Sequence, residues 1–129
     1  MDGVLVEKMS GKGLEMIVGA RRDPAWGPVT LVGFGGVQAE VLKDFRLLPP
    51  DLSPSEIHEE LLKLKSAKLL TGFRGSPPVD LDALCGMVSE LGALMMAQPR
   101  ILEVDLNPVV VRAAGQGLDI LDALILLDA

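Results

Sequence analysis

"RILEVDLNPVVVR" (residues 100–112) and "GLDILDALILLD" (117–128) flank "AAGQ" (113–116), and the reading of this pair decides the fold. Both runs are rich in Val, Ile and Leu, and the link between them is a turn signal, so they predict an antiparallel hairpin. Side chains alternate along a strand, so Glu103, Asp105 and Asn107 point one way and Val104 and Leu106 the other. With 113–116 as the loop, Asn107 lies opposite Asp122. A slip of one residue would break that pairing and flip the faces. Asp122 sits between Ile120 and Leu124 on an otherwise apolar side, where an unpaired buried charge is expensive. Asn107 beside it supplies a second hard oxygen donor, and magnesium is commonly held by few protein ligands plus nucleotide phosphates. The alternative is that these acids form a solvated sheet face. Spacing alone leaves both readings open.

Upstream, "VLVEKM" (4–9), "LEMIVGARR" (14–22) and "VTLVGF" (29–34) read as strands separated by "SGKG" and "DPAWGP". Such short links imply an antiparallel meander. "VQAEVLKDFRLL" (37–48) continues as a strand or begins a helix, and its alternation favours strand. Ser53, Pro54 and Glu56 form a helix start of the capping-box type. The helix "PSEIHEELLKLKS" (54–66) then aligns Ile57, Leu61, Leu64 and Lys68. A second helix (81–98), capped by Asp80 and stopped by Pro99, aligns Leu84, Val88, Leu91 and Met95. The order βββ(β)ααββ predicts an α+β fold, an antiparallel sheet with helices packed on one face.

At 129 residues the chain is one domain or part of one, and 49% apolar residues suffice for a core. No apolar run reaches a membrane span, and Asp2, Glu7 and Lys8 interrupt any leader-like stretch. The single cysteine, Cys85, excludes an internal disulfide and fits a reducing cytoplasm; its neighbours Leu84, Met87 and Val88 predict a buried thiol. A net charge of −6 and few aromatics argue against a nucleic-acid surface.

Other candidates are weaker. Gly33, Gly35 and Gly36 can cradle phosphate through backbone N–H groups, or serve as turns and bulges. No Gly-Lys-Ser/Thr follows them, so this is not a P-loop. "VEKMSGKGLE" (6–15) is a strand end running into a turn, where a purine can dock on backbone groups and Glu15 can reach a ribose hydroxyl; a charged hairpin looks the same. His58 reads as solvated, Met95 and Met96 as core packing, and the charges of 56–68 as i,i+4 pairs. Arg21, Arg22 and Arg74 are phosphate candidates or merely exposed. No Ser/His/Asp arrangement and no zinc spacing occurs.

Taken together, "GVLVEKMSGKGLEMIVGARRDPAWGPVTLVGFGGVQAEVLKD", "KLLTGFRGSPPVDLDAL" and "EVDLNPVVV…LDILDALI" resemble the ATP-grasp domain of ADP-forming acyl-CoA synthetases, itself similar to the succinyl-CoA synthetase β-subunit. The resemblance runs over nearly the whole chain and implies that residues 1–129 are the C-terminal ATP-grasp subdomain. It implies ATP or ADP and Mg2+ as ligands. Glu7, Lys8, Met9 and Ser10 would hold adenine through their backbone, Glu15 the ribose, and Asn107 and Asp122 the magnesium. Gly35 and Gly36 match a family motif and are carried as nucleotide-binding. The matching of Asp105-Leu-Asn-Pro108 and Leu121-Asp-Ala123 coincides with the pairing read from spacing. Leu124 departs from the arginine usual after Leu-Asp-Ala. No catalytic residue is assigned, and His58 matches no family catalytic histidine. The implied partners are nucleotide, the N-terminal ATP-grasp half with its phosphate-clamping cations, and a CoA-binding domain or subunit. Neither nucleic acid nor membrane is expected, and self-association through an exposed apolar face is plausible. The resemblance thus implies a ligase component that is inactive alone; a non-catalytic module of an acetyltransferase fusion is the alternative.

Overall fold

A computed structural model of the chain describes residues 13–35, 44–72 and 77–128. Its elements are β1 (Leu14–Asp23), β2 (Gly27–Phe34), β3 (Phe45–Leu48), α1 (Pro54–Leu61), α2 (Lys68–Thr71), α3 (Leu81–Ala97), β4 (Ile101–Val111), β5 (Leu118–Ile120) and β6 (Ala123–Leu127). The strands form one antiparallel six-stranded sheet in the order β3-β2-β1-β4-β5, with β6 pairing β4 beyond β5. The expected α+β class is the one observed. The proposed strand at 4–9 and residues 37–43 lie outside the described residues.

Alternation decides which face is covered. Met16, Val18 and Ala20 on β1, Val32 and Phe34 on β2, and Val104 and Leu106 on β4 are buried. They meet the helices, whose apolar stripes are Ile57 and Leu61 on α1 and Leu84, Val88, Leu91 and Met95 on α3. Gly92 allows α3 to approach the loop before α1: a Cβ there would lie 2.1 Å from the Pro50 carbonyl oxygen.

The helix ends follow from capping. Ser53 and Glu56 form the reciprocal capping box, and Asp80 accepts the Ala83 N–H. The predicted first helix, however, stops at Leu61 rather than Ser66. Asp44, almost fully buried, accepts the N–H groups of Lys65 (2.8 Å) and Ser66 (2.7 Å) and turns the chain away. Leu64 stays in the core, but Lys68 begins α2 and is exposed, so the expected stripe breaks there. Met96 is likewise half exposed, because it falls on the outer side of α3, while Met95 is buried. The charges near α1 pair as Glu60–Lys63 (i,i+3, 2.9 Å) and Glu60–Arg46 (2.5 Å) rather than i,i+4.

Candidate functional site

The hairpin register is the expected one. Val111 faces Leu118 and Val109 faces Ile120; further along, Leu106 faces Ala123 and Asp105 faces Leu124. Between these stretches the Asn107 N–H donates to the Asp122 carbonyl (3.1 Å), and the Leu121 N–H donates to the Pro108 carbonyl (3.0 Å). Asn107 therefore stands opposite Asp122. On its other side β4 pairs Val109 with Met16 and Leu106 with Val18, so Asn107 and Pro108 together oppose Ile17. This is a β-bulge, the device that re-aims side chains beside sites. The Asn107–Pro108 peptide is cis. The bulge coincides with the break between β5 and β6, which the sequence reading had joined as one strand.

Both side chains are exposed, and so are Ile120 and Leu124. Of the two readings left open by spacing, the exposure of Asp122 matches a solvated sheet face: among the described residues no helix covers that edge. The pairing rests on the backbone ladder instead.

Glu15 lies on the sheet face away from the helices. It faces Val110 on β4, which in turn faces Asp119 on β5; Asp119 is ion-paired with Arg112. The Gly35 N–H donates to the Glu15 carbonyl (2.9 Å), and a Cβ at Gly35 would come within 3.3 Å of that oxygen. From the Glu15 rung to Asn107 is three residues along β4, roughly 10 Å at strand rise. Glu7, Lys8, Met9, Ser10 and Gly36 lie outside the described residues.

Past Asn107 the same open face carries a depression of about 450 Å³, whose lining includes Ile17, Gly19, Leu31, Phe45, Leu47 and Asp105. Its floor is apolar and its rim holds Arg21, Glu103 and Asp105. The alternation of Ile17 against Val18 and of Leu31 against Val32 carried the signal that both faces of β1 and β2 are apolar. Among the described residues, no cluster of three or more His, Cys, Asp or Glu side chains could hold a metal alone. An Asn–Asp pair is a donor set that suits magnesium already carried by phosphates.

The sequence profile of the ATP-grasp domain matches residues 1–127. The chain belongs to the ATP-grasp family. A trans-feruloyl-CoA synthase from an unknown prokaryotic organism is 50% identical over 128 residues, covering 99% of this chain and 18% of that protein. The β subunit of an ADP-forming acetate–CoA ligase from Pyrococcus furiosus is 38% identical, covering 83% of this chain and 46% of the subunit. An acetyl-coenzyme A synthetase of Ca. Korarchaeum cryptofilum, solved with coenzyme A and Mg-AMPPCP, superposes with a TM-score of 0.82 at 37% identity. That match covers 89% of this chain and 53% of the other. The chain thus spans under a fifth of the first of these relatives and about half of the other two.

Of the remaining candidates in this ATP-grasp chain, Arg22 has a structural role. Arg22 donates to the carbonyls of Met95, Gln98 and Ile101, so it binds a helix end rather than phosphate. Arg21 is exposed, and Arg74 lies outside the described residues. Cys85 is buried against the core, and burial, helped by the Asp82 charge, pushes its thiol up to about 11. His58 lies partly buried in the cleft between α1 and α3. No described helix is long and apolar enough to cross a membrane.

Proposed function

We propose that this chain is the C-terminal ATP-grasp subdomain of an ADP-forming acyl-CoA synthetase, working in the cytoplasm. In the whole enzyme, acyl-CoA, ADP and phosphate would be converted to free acid, CoA and ATP. The observation that carries this reading is Asn107 set opposite Asp122 at the bulge, one short stretch of β4 away from Glu15 on the same open sheet. In this reading the Asn107 amide oxygen and the Asp122 carboxylate hold magnesium. Glu15 takes the ribose, the backbone of Glu7 to Ser10 the adenine, and Gly35 and Gly36 bind the nucleotide. The separation of the two ends suits an extended nucleotide laid along β4, base end at Glu15 and phosphates at the bulge. Bound there, magnesium neutralises phosphate charge during phosphoryl transfer, which is chiefly positioning and electrostatics.

Relatives named for ferulate, acetate and 4-hydroxybutyrate share this domain at 50%, 44% and 39% identity. One domain kept across three acids supports a role toward the nucleotide, with the acid chosen elsewhere. The N-terminal ATP-grasp half and a CoA-binding domain or subunit complete the enzyme in this reading.

The test is an amide NMR titration of the chain with Mg·ADP, repeated with Asp122→Asn. Shifts are expected at Glu15, Gly35, Asn107 and Asp122, and they should fade in the variant. Shifts confined to α1 and α3 would overturn the assignment.

A further inference from the structure

β6, Ala123 to Leu127, is apolar throughout and bare on both faces. Leu124, Ile125, Leu126 and Leu127 are between 45% and 56% exposed. α3 packs over β2, β1 and β4 and leaves this strand uncovered. Only the inner edge of β6 is paired among the described residues. The Asp122 carbonyl accepts from Asn107, and the Asp128 N–H donates to the Arg100 carbonyl (2.7 Å). Even-numbered residues therefore turn their backbone groups toward β4. Ala123, Ile125 and Leu127 turn theirs outward, by the alternation of an antiparallel ladder. Natural edges are usually guarded by lysine, proline or a bulge; β6 has no lysine or proline, and the one register shift of its pairing lies on the β4 side, between Ile101 and Glu103.

We propose that β6 is a strand-addition site for an extended apolar segment of another polypeptide, one that places a lysine or arginine opposite Asp128. Main-chain bonds to Ala123, Ile125 and Leu127 would supply the ladder, and the leucines flanking them the apolar contact.

Charge and register disfavour a second copy of this chain as the occupant. Two copies joined antiparallel into one continuous sheet are related by an axis normal to it, so residues on the same face pair. Centred on Ile125, that arrangement sets Asp122 against Asp128. Centred on Leu124 it sets Asp122 against Leu126, and centred on Leu126 it sets Asp128 against Leu124. Each either opposes like charges or packs a carboxylate on leucine. The net charge of −6 adds a general repulsion. A foreign strand with a cation at the Asp128 position meets neither penalty. It also leaves Asp122 for magnesium.

The probe is a blocked peptide of alternating valine and threonine with an N-terminal lysine, compared with the same peptide carrying glutamate instead. Titrated into the labelled 129-residue chain, the lysine peptide should shift the amides of Ala123, Ile125 and Leu127. It should bind about two- to fivefold tighter than the glutamate peptide, the range of one cross-strand charge pair. Asp128→Lys should reverse that preference. Ile125→Pro should abolish binding and leave the β1 and β2 amides in place, because the N–H it removes points outward. Equal binding of the two peptides by the parent chain, or no binding, would overturn the proposal. So would a dimer of the chain that Ile125→Pro dissolves.

Discussion

Arg22, near the end of β1, donates a hydrogen bond of 2.5 Å to the carbonyl of Met95 in the last turn of α3. The same guanidinium reaches Gln98 (2.8 Å) and Ile101 (2.9 Å), so one side chain satisfies three carbonyls where helix passes into strand. The last carbonyls of a helix lack intrahelical partners, and a cation there also opposes the helix dipole. Arg22→Ala should cost about 1–3 kcal/mol, the range for leaving partly buried acceptors unmade. Arg22→Lys should recover only part of it, because an ammonium cannot fork among three acceptors. Urea denaturation measures both. Nucleotide binding should be unchanged in the folded fraction, since Arg22 is turned to the helix side.

The two described glycines of α3 predict opposite signs. At Gly92 a Cβ would lie 2.1 Å from the Pro50 oxygen, and backbone cannot yield as a flexible side chain does. Gly92→Ala should therefore cost about 1–3 kcal/mol as overpacking. At Gly86 nothing lies within 4 Å of the added carbon. Gly86→Ala should stabilise by about 0.5–1 kcal/mol, through helix propensity and a less free unfolded chain. Thermal melting of the two variants side by side checks the contrast.

The strand periods, the two helix starts and the pairing of Asn107 with Asp122 were legible because each follows from local pattern. A hydrophobic run, a turn and a count across it suffice. What escaped was carried by contacts between distant side chains and backbone. Asp44 ends α1 from across the chain, and Arg22 binds a helix end more than seventy residues away. Neither leaves a periodic trace. The exposure of Asp122 stayed open for another reason: alternation says which residues share a face, not whether anything covers it. The bulge at Asn107-Pro108 was foreshadowed only by a proline inside an apolar strand, a position that ladders rarely tolerate.

Asp80 makes stability depend on acid. Its carboxyl is held below its ordinary 3.8, first by the Gly117 N–H and then by that of Ala83, against a smaller effect of burial, with the Gly115 N–H adding least. A carboxyl whose folded pKa is depressed stabilises fully above its unfolded value and progressively less as pH falls through the folded one. Asp23 and Glu56 are lowered likewise by backbone N–H groups, and Glu60 by Lys63 and Arg46. Stability should therefore be flat near neutrality and fall below about pH 4.5. Asp80→Asn should lower stability at pH 7 and flatten the profile in its acid limb. Denaturant midpoints between pH 7 and pH 3 give the result. A variant whose acid limb matches the parent's would mean that Asp80 does not contribute through its charge.

The proposed metal pair can be tested by exchanging its charge. Asn107 and Asp122 are joined by a backbone bond, so their side chains can be swapped without disturbing the ladder. Asp122→Asn leaves two neutral donors and should weaken Mg·ADP at least about tenfold, or roughly 1.4 kcal/mol. Asn107→Asp places two carboxylates opposite each other. It should lower the metal-free melting temperature, at a cost of about 0.2–1 kcal/mol, and gain more from added Mg2+ than the parent does. The double exchange restores one carboxylate and one amide in reversed places. It should recover most of the affinity if the ion reads total charge, and little if it requires the carboxylate on the β5–β6 side. Calorimetry on the four proteins separates these outcomes, and equal affinity in all four would remove the pair from the metal site.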